Sequence, residues 1–294
     1  MRILILAGGG VKHMSPFLEA GRNLGLDVTI SSFSKITFQT LDGAVKVKIE
    51  DRDLRTFDVV YFRLVGKRYE DAALIVAYCR QEGIRIIDRI YEKDGVIRIP
   101  LPKSLEAKML FEAGLPLPKT YFGSLMAMRE VCPVLLGFPF VIKGTTGKQG
   151  HAVWSPQTLE ELDNLIGELL PKEKLGERFI AQEFIRASQR NRIFVIGESA
   201  VAALTRPTRW RKRFNSHPTG VKKKLDPIPS EDAQIALKAA SVLGIEIGGA
   251  DIITEDKTGK KYILEVNSAP RWASIARDAG INIEEEILKY IASL

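Results

Sequence analysis

The 294-residue chain has little cysteine and little histidine, two Cys and three His. Cys79 and Cys132 are far apart and lack metal-ligand spacing. That argues against a disulfide framework and a zinc centre, and for a reducing, cytoplasmic setting. No apolar run approaches the roughly 20 residues that a membrane helix needs. The opening stretch MRILILAGGG is too short and too glycine-rich for a signal peptide, with no small-residue cleavage pattern behind it. It is expected to be a first strand and a turn. The chain has no GxxxxGK[ST] phosphate loop, no repeat and no low-complexity tract. What remains is an ordinary composition, 45% hydrophobic and 27% charged, long enough for two or three domains with cores of their own.

The net charge of +7 is local. The segment RPTRWRKRFNSHPTGVKKK (206–224) carries Arg206, Arg209, Arg211, Lys212, Arg213, Lys222, Lys223 and Lys224 and no acid. Without these eight, acidic residues outnumber basic ones by one. A cluster of this kind points to an anionic partner held at one place.

The first hundred residues alternate strand and helix patterns. RILILAGGG, DVTISS, FDVVYFRL and GIRIID read as strands. SPFLEAGRNLG, with Ser15 as N-cap and Pro16 at the first helical position, and YEDAALIVAYCRQEG read as helices. This alternation predicts an α/β fold with a mostly parallel sheet. The Pro-rich RIPLPKS (98–104) suggests a boundary near residue 100. Beyond it come the helix 104–114, a short helix 124–131, the strand GFPFVIKG, the glycine-punctuated hairpin 145–154 and an amphipathic helix 155–170. Strands at 178–185, 192–197 and 199–206 follow. The basic segment reads as a loop, 229–244 as a helix capped by Ser230, and GGADIITED with KKYILEVNS as an antiparallel pair across the turn DKTG. NIEEEILKYIASL is a terminal helix. The expected division is 1–100, 101–177 and 178–294, the last part α+β in character.

In YILEVNSAP, alternation along a strand turns Glu265 and Asn267 one way and Leu264 and Val266 the other. The hairpin can bring Asp251 beside them. Two carboxylates and an amide oxygen suit Mg²⁺, a hard cation that keeps waters and meets nucleotide phosphates. On these three residues alone, a polar outer sheet face is the favoured reading. FVIKGTTGKQGHAV offers Lys143 and Lys148 with Gly144, Gly147 and Gly150, a lysine–glycine cradle for phosphate or an ordinary hairpin. AQEFI could lend backbone groups and an apolar wall to a purine, or be a plain strand. AGGG near the N-terminus fits a structural turn better than a dinucleotide fingerprint, because G-x-G-x-x-G spacing is missing.

The order of these pieces is more telling than any of them. A lysine-bearing strand, a Gly-rich hairpin, Q-E-F-I, R-x-F-V-x-G, an Arg-rich loop, G-A-D and E-V-N-S-x-P follow one another over roughly 103–283. In this the chain resembles the ATP-grasp superfamily, and within it the RimK-type carboxylate–amine (amino-acid) ligases. The resemblance implies an ATP-grasp fold behind an N-terminal Rossmann-like pre-ATP-grasp domain. It implies ATP contacts from Lys103, Lys143, Gly147, Gly150, Gln182, Glu183 and Ile185. It implies Mg²⁺ (or Mn²⁺) on Asp251, Glu265 and Asn267. Arg206, Arg213 and Asn215 take catalytic roles, and Arg192 and Arg271 substrate roles. Arg190 stands where the family has an Asp near the nucleotide ribose, Pro102 where an Asp precedes the first lysine, and Arg271 where a Gly follows S-x-P.

The activity so implied is ATP-dependent amide formation through an acylphosphate. A glutamate-like amino acid would be joined to a peptide, a protein or a small acidic acceptor, by a cytoplasmic homo-oligomer, dimer or tetramer. No protein nucleophile is required, in keeping with the lack of a Cys–His or Ser–His pair. The alternative is an RNA- or ribosome-binding protein on the same scaffold, suggested by Trp210 and Phe214 among the basic residues of 206–224. A nicotinamide enzyme using AGGG is a third reading.

Overall fold

The structure is a computed structural model that describes residues 1–41, 44–93, 101–145, 152–208, 223–273, 276–277 and 280–294. The N-terminal part is built on a parallel sheet of β1 (Arg2–Ala7), β2 (Asp27–Ser32), β6 (Val59–Leu64) and β7 (Arg85–Ile86), in the order β2-β1-β6-β7. β1 is apolar on both faces because both are covered. Ile3, Ile5 and Ala7 pack with Phe17 of α1 (Pro16–Asn23), whereas Leu4 and Leu6 pack with Ile75 and Cys79 of α2 (Tyr69–Glu82). The strand expected over 83–88 is only two residues long, because the chain turns away at Asp88, which has φ of 80°. Ser15 makes no side-chain cap. A hairpin of β3 (Ile36–Leu41) and β4 (Ala44–Ile49), extended by β5 (Arg52–Asp53), was not anticipated. Its alternation is plain in AVKVKI, but it stands apart from the parallel sheet.

The reading of AGGG as a turn has a steric reason at Gly8. Its amide donates to the Leu64 carbonyl at 2.6 Å, and a Cβ there would lie 2.1 Å from the Val65 carbonyl oxygen. Only glycine lets the exits of β1 and β6 meet this closely.

The middle of the chain holds α3 (Lys103–Glu112), α4 (Leu125–Leu135) and α5 (Leu159–Lys174). Its antiparallel sheet comprises β8 (Thr120–Phe122), β9 (Phe140–Gly144), β10 (Val153–Trp154) and β11 (Phe179–Glu183), in the order β10-β9-β11-β8. Phe140, Ile142, Phe179 and Ala181 face α4 and α5, so Val141, Lys143, Ile180 and Gln182 face the other way. The helix expected over 124–131 runs on to Leu135, through Pro133.

The C-terminal sheet comprises β12 (Gln189–Ile196), β13 (Ser199–Pro207), β14 (Lys223–Lys224), β15 (Ile247–Thr254) and β16 (Lys261–Asn267), in the order β14-β13-β12-β15-β16. One face packs on α6 (Ser230–Leu243) through Ile193, Val195, Ala250 and Ile263. α6 is preceded by Pro229 at the cap position, and Ser230 is already helical and does not cap it. The other face is divided. Phe194, Ile196, Leu204 and Ile247 at one end share a core with the N-terminal sheet and α7 (Ile283–Ala292). The opposite end of the same face is charged, and it carries the candidate site. Cys79 and Cys132 are free and buried. Among the described residues no helix is long and apolar enough to cross a membrane.

Candidate functional site

Asp251 of β15 lies directly opposite Glu265 of β16, and Gly249 opposite Asn267. Regular pairing does not produce this. From the turn inward, Thr254 meets Lys261, Ile253 meets Tyr262 and Ile252 meets Ile263, so Asp251 would next meet Leu264. A register shift between Asp251 and Ile252 leaves Leu264 over and brings Glu265 opposite Asp251. Without that bulge the two carboxylates would sit on opposite faces. The bulge also corrects the expected alternation. Val266 and Ile263 enter the core under α6, but Leu264 packs toward Ile185 and Tyr262 and lines a small cavity beside Lys103 and Lys143.

The carboxylates are ringed by donors. Arg192, in register with Asp251, forms a bidentate pair with it: Nε to Oδ1 at 2.6 Å and Nη2 to Oδ2 at 2.6 Å. Arg190 Nη1 reaches Oδ2 at 3.2 Å. Asp251 is 1% exposed, which makes these charge-assisted bonds between partners largely shielded from water. Lys103 Nζ donates to Glu265 Oε2 at 2.7 Å, and Asn267 Nδ2 to Oε1 at 3.0 Å. Burial works against the charge on Glu265, but Lys103, the Asn267 amide and nearby Lys143 outweigh it and hold the carboxyl down at about 2. Burial also opposes the charge on Lys103, and Glu265 more than offsets it, raising its pKa.

Across the cleft, Lys143 Nζ donates to Gln182 Oε1 at 2.7 Å, and Gln182 Nε2 to Thr120 Oγ1 at 3.0 Å. Burial lowers Lys143 to about 8, despite the pull of Glu265. Lys103, Lys143 and Gln182 thus converge on one small cavity, also lined by Glu106. Glu106 is buried, accepts from the Val266 amide at 2.7 Å and is pushed up by burial to about 7. Glu183 ends β11, its Oε2 3.3 Å from the Lys119 amide. Ile185 is buried in a separate cluster with Ala187, Ile253 and Tyr262. Arg206 lies opposite Arg190 on β13. Arg271 is exposed just beyond β16.

Gly147, Gly150, Arg213 and Asn215 lie outside the described residues, as do Lys148, Trp210 and Phe214. Asp251, Glu265 and Asn267 could hold a hard divalent cation through oxygen. Among the described residues no three His, Cys, Asp or Glu side chains group to hold a metal by themselves. Two carboxylates and one amide fit an ion that takes its remaining ligands from water and phosphate.

Three residues the sequence reading passed over hold this site in place. Thr120 orients Gln182, and Glu106 fixes the backbone between Glu265 and Asn267. Arg63, 8% exposed on β6, donates to the Pro270 carbonyl at 2.7 Å and stacks 3.7 Å over the Trp272 ring, tying down the chain after Asn267. A charge inside the apolar run VVYFRL was the signal for Arg63. Its partners, more than 200 residues away, gave none.

Comparison with known proteins points to one family. The RimK-like ATP-grasp domain family matches residues 102–291. A probable alpha-L-glutamate ligase of Trichodesmium erythraeum (strain IMS101) is 25% identical over 287 residues, 93% of this chain and 90% of that protein. One of Alkalilimnicola ehrlichii (strain ATCC BAA-1101 / DSM 17681 / MLHE-1) is 30% identical over 298 residues, 99% and 95% of the two chains. In fold, the chain is similar to the ATP-grasp ligase PsnB, solved with a minimal precursor, at a TM-score of 0.73 and 16% identity, covering 99% of this chain and 98% of that one. These similarities lend no support to the nucleic-acid reading.

Proposed function

The chain belongs to the RimK-like ATP-grasp family and is an ATP-dependent ligase, and from that premise we propose that it joins an acidic amino acid, glutamate or a close analogue, to an acidic peptide or small acidic acceptor. One observation carries the reading: the bulge-set pairing of Asp251 with Glu265, with Asn267 on the same face and Lys103 and Lys143 beside them. In this proposal Asp251, Glu265 and Asn267 hold Mg²⁺, which when bound offsets charge on the transferring phosphoryl group. Lys103 and Lys143 then turn from Glu265 and Gln182 to phosphate oxygens. The substrate carboxylate takes the γ-phosphoryl group to give an acylphosphate and ADP. The amine displaces phosphate and forms the amide. Lys143 and Arg206 stabilise the charge developed in transfer. Gln182, Glu183 and Ile185 border the nucleotide base, and the basic stretch 206–224 draws in the acidic acceptor.

The relatives described as glutamate ligases and the neighbour solved with a precursor support an acidic, peptide-like substrate. Phosphate release across twenty amino acids, alone and in pairs, with ATP and Mg²⁺ tests it. Release stimulated by glutamate together with an acidic acceptor is the expected result. Equal stimulation by neutral and acidic pairs would remove the substrate assignment.

Lys143 gives a second handle. Near pH 9 its amine is mostly neutral in the empty protein, because its pKa lies at about 8. A phosphate beside it restores the charge, so ADP binding at pH 9 should take up close to one proton, and far less at pH 7. Calorimetry in two buffers of different ionisation enthalpy reads this directly. Lys143→Met should abolish the uptake, and uptake that survives the substitution places the phosphates elsewhere.

A further inference from the structure

The small sheet of the N-terminal part ends in an open edge. In the order β3-β4-β5, β3 pairs with β4 on one side and, among the described residues, with no strand on the other. The edge strand ITFQTL has no charge, no proline and no glycine, and its register with β4 is unbroken by a bulge. Natural edges are blunted by such devices, because their unpaired N–H and C=O groups are a template for another strand. The lysines of the hairpin, Lys46 and Lys48, are on β4 instead, opposite Gln39 and Thr37. The outward groups can be identified. The Lys35 carbonyl accepts from the Glu50 amide at 3.0 Å, which makes 35 and 50 a hydrogen-bonded pair. Alternation along an antiparallel ladder then turns the N–H and C=O of Ile36, Phe38 and Thr40 away from β4. The side chains of these three share a face with Val45, Val47 and Ile49. Part of that face is covered, since Val47 is 0% and Ile49 2% exposed and both pack with Phe33 and Leu54. The rest is bare, with Phe38 57% and Val45 43% exposed.

We propose that the open edge of β3 is an interface between two copies of this chain, which pair β3 with β3 antiparallel about a two-fold axis at Phe38. The proposal is independent of the substrate assigned above. In that register Phe38 opposes Phe38 of the second copy, and Ile36 opposes Thr40 at either end. Each outward N–H and C=O then finds its mate, and the two small sheets become one. A two-fold axis normal to the sheet also keeps like faces together, so the bare Phe38 and Val45 of both copies join one apolar surface. Charge favours a second copy over other occupants. The chain carries a net charge of +7, but β3 itself is neutral, so self-pairing opposes no like charges across the new ladder. Lys48 of one copy and Lys46 of the other end up three strand spacings apart, about 14 Å, beyond the screening length of about 8 Å at physiological salt. An acidic peptide would be drawn to a cationic strand, and β3 is not one. A partner that comes and goes would also leave a neutral edge bare between encounters, whereas a second copy is always present.

The test measures the mass of the full chain by light scattering and sedimentation from about 1 to 100 µM, the range in which a small interface dissociates. The wild type should pass from monomer to dimer within it. Thr40→Pro removes an outward N–H without touching a bond to β4, and Phe38→Lys sets two like charges against each other at the two-fold axis. Each should weaken the dimer at least about tenfold. Phe38 is exposed, so its lysine variant tests the interface even if the proline variant folds poorly. Mild oxidation gives a separate reading. Opposed Cα atoms of a hydrogen-bonded pair lie about 5.5 Å apart, within disulfide range, so Phe38→Cys should cross-link two chains. Val45→Cys, on the same face but on β4, should not. Cys79 and Cys132 are buried and leave the background low. A wild type that stays monomeric throughout, or a dimer equally stable in Phe38→Lys, would overturn the proposal. So would cross-linking of Val45→Cys as fast as Phe38→Cys, or a monomer whose binding of polyglutamate is lost in Thr40→Pro, which would give the edge to a peptide.

Discussion

Glu265→Gln is expected to lower ATP turnover by at least about 100-fold, with the fold intact. Loss of a group that merely supports a metal ligand costs 10- to 100-fold, so loss of a ligand should reach the upper end. The amide keeps the side chain's size, and Asn267 can still donate to its oxygen. What disappears is a full charge that Lys103 and Asn267 hold ionised down to about pH 2. Lys103 then loses its counter-charge in a half-buried cleft. Glu265 is the cleaner target of the two carboxylates. Asp251→Asn would leave Arg192 and Arg190 facing a neutral amide in a site that is 1% exposed. Breaking such a buried pair costs about 3–5 kcal/mol, which mixes a folding defect with a catalytic one. Initial rates of ADP formation, beside a melting curve, separate the two. Turnover of Glu265→Gln within twofold of wild type would mean that the metal assignment is wrong.

The charged cluster of the candidate site, Lys103, Lys143, Arg192, Asp251 and Glu265, was legible in the sequence as residues but not as a geometry. The spacing of Asp251 and Glu265 across DKTG suggested a facing pair, yet a strictly regular hairpin puts them on opposite faces. The extra residue at Leu264 decides the matter, and no composition rule marks it. Lys143 was legible because a lysine closing an apolar strand stands out. Its partner Gln182 was found on other grounds, and the bond between them depends on the pairing of β9 with β11. The parallel N-terminal sheet followed from alternating strand and helix patterns, because both faces of β1 are buried and its run is continuous. The β3–β4 hairpin escaped because it shares no pattern with that alternation. The joints between the parts escaped for a different reason. They depend on single polar residues whose partners lie far along the chain, and sequence spacing carries no information about such pairs.

Glu246 is the clearest of these joints, and Glu246→Ala is expected to be the most destabilising single substitution outside the cleft. The residue lies between Ile245 and Ile247 in an apolar run and is 3% exposed. Its Oε1 accepts from Tyr290 OH of α7 at 2.6 Å and from Arg85 Nη2 of β7 at 2.9 Å. Its Oε2 accepts from the Asp88 amide at 2.8 Å. The bond is returned, because Asp88 Oδ1 accepts from the Glu246 amide at 2.7 Å and from that of Ile247 at 3.2 Å. Next to this exchange, Gly244 ends α6 with φ of 67°, and its carbonyl accepts from the Ile90 amide at 2.9 Å. A Cβ at Gly244 would lie 2.7 Å from that amide nitrogen, so the two parts of the chain meet backbone to backbone here. Alanine at 246 takes the shared acceptor from a phenol, an amide and a guanidinium, the last of them 35% exposed and also near Glu92. Water reaches that guanidinium, so the cost falls below that of a fully buried pair, at about 2–4 kcal/mol. For a chain of this size that corresponds to a melting point lower by roughly 3–6 °C. Glu246→Gln should fall by less, since its remaining oxygen can still serve one of the three donors. The cleft residues are on other strands or at the far end of β15. Turnover measured well below the new melting point should therefore stay within a few-fold of wild type. A melting point lowered by less than about 2 °C would show that Glu246 does not join the two parts. A large loss of turnover at low temperature would show that the joint sets the geometry of the cleft as well.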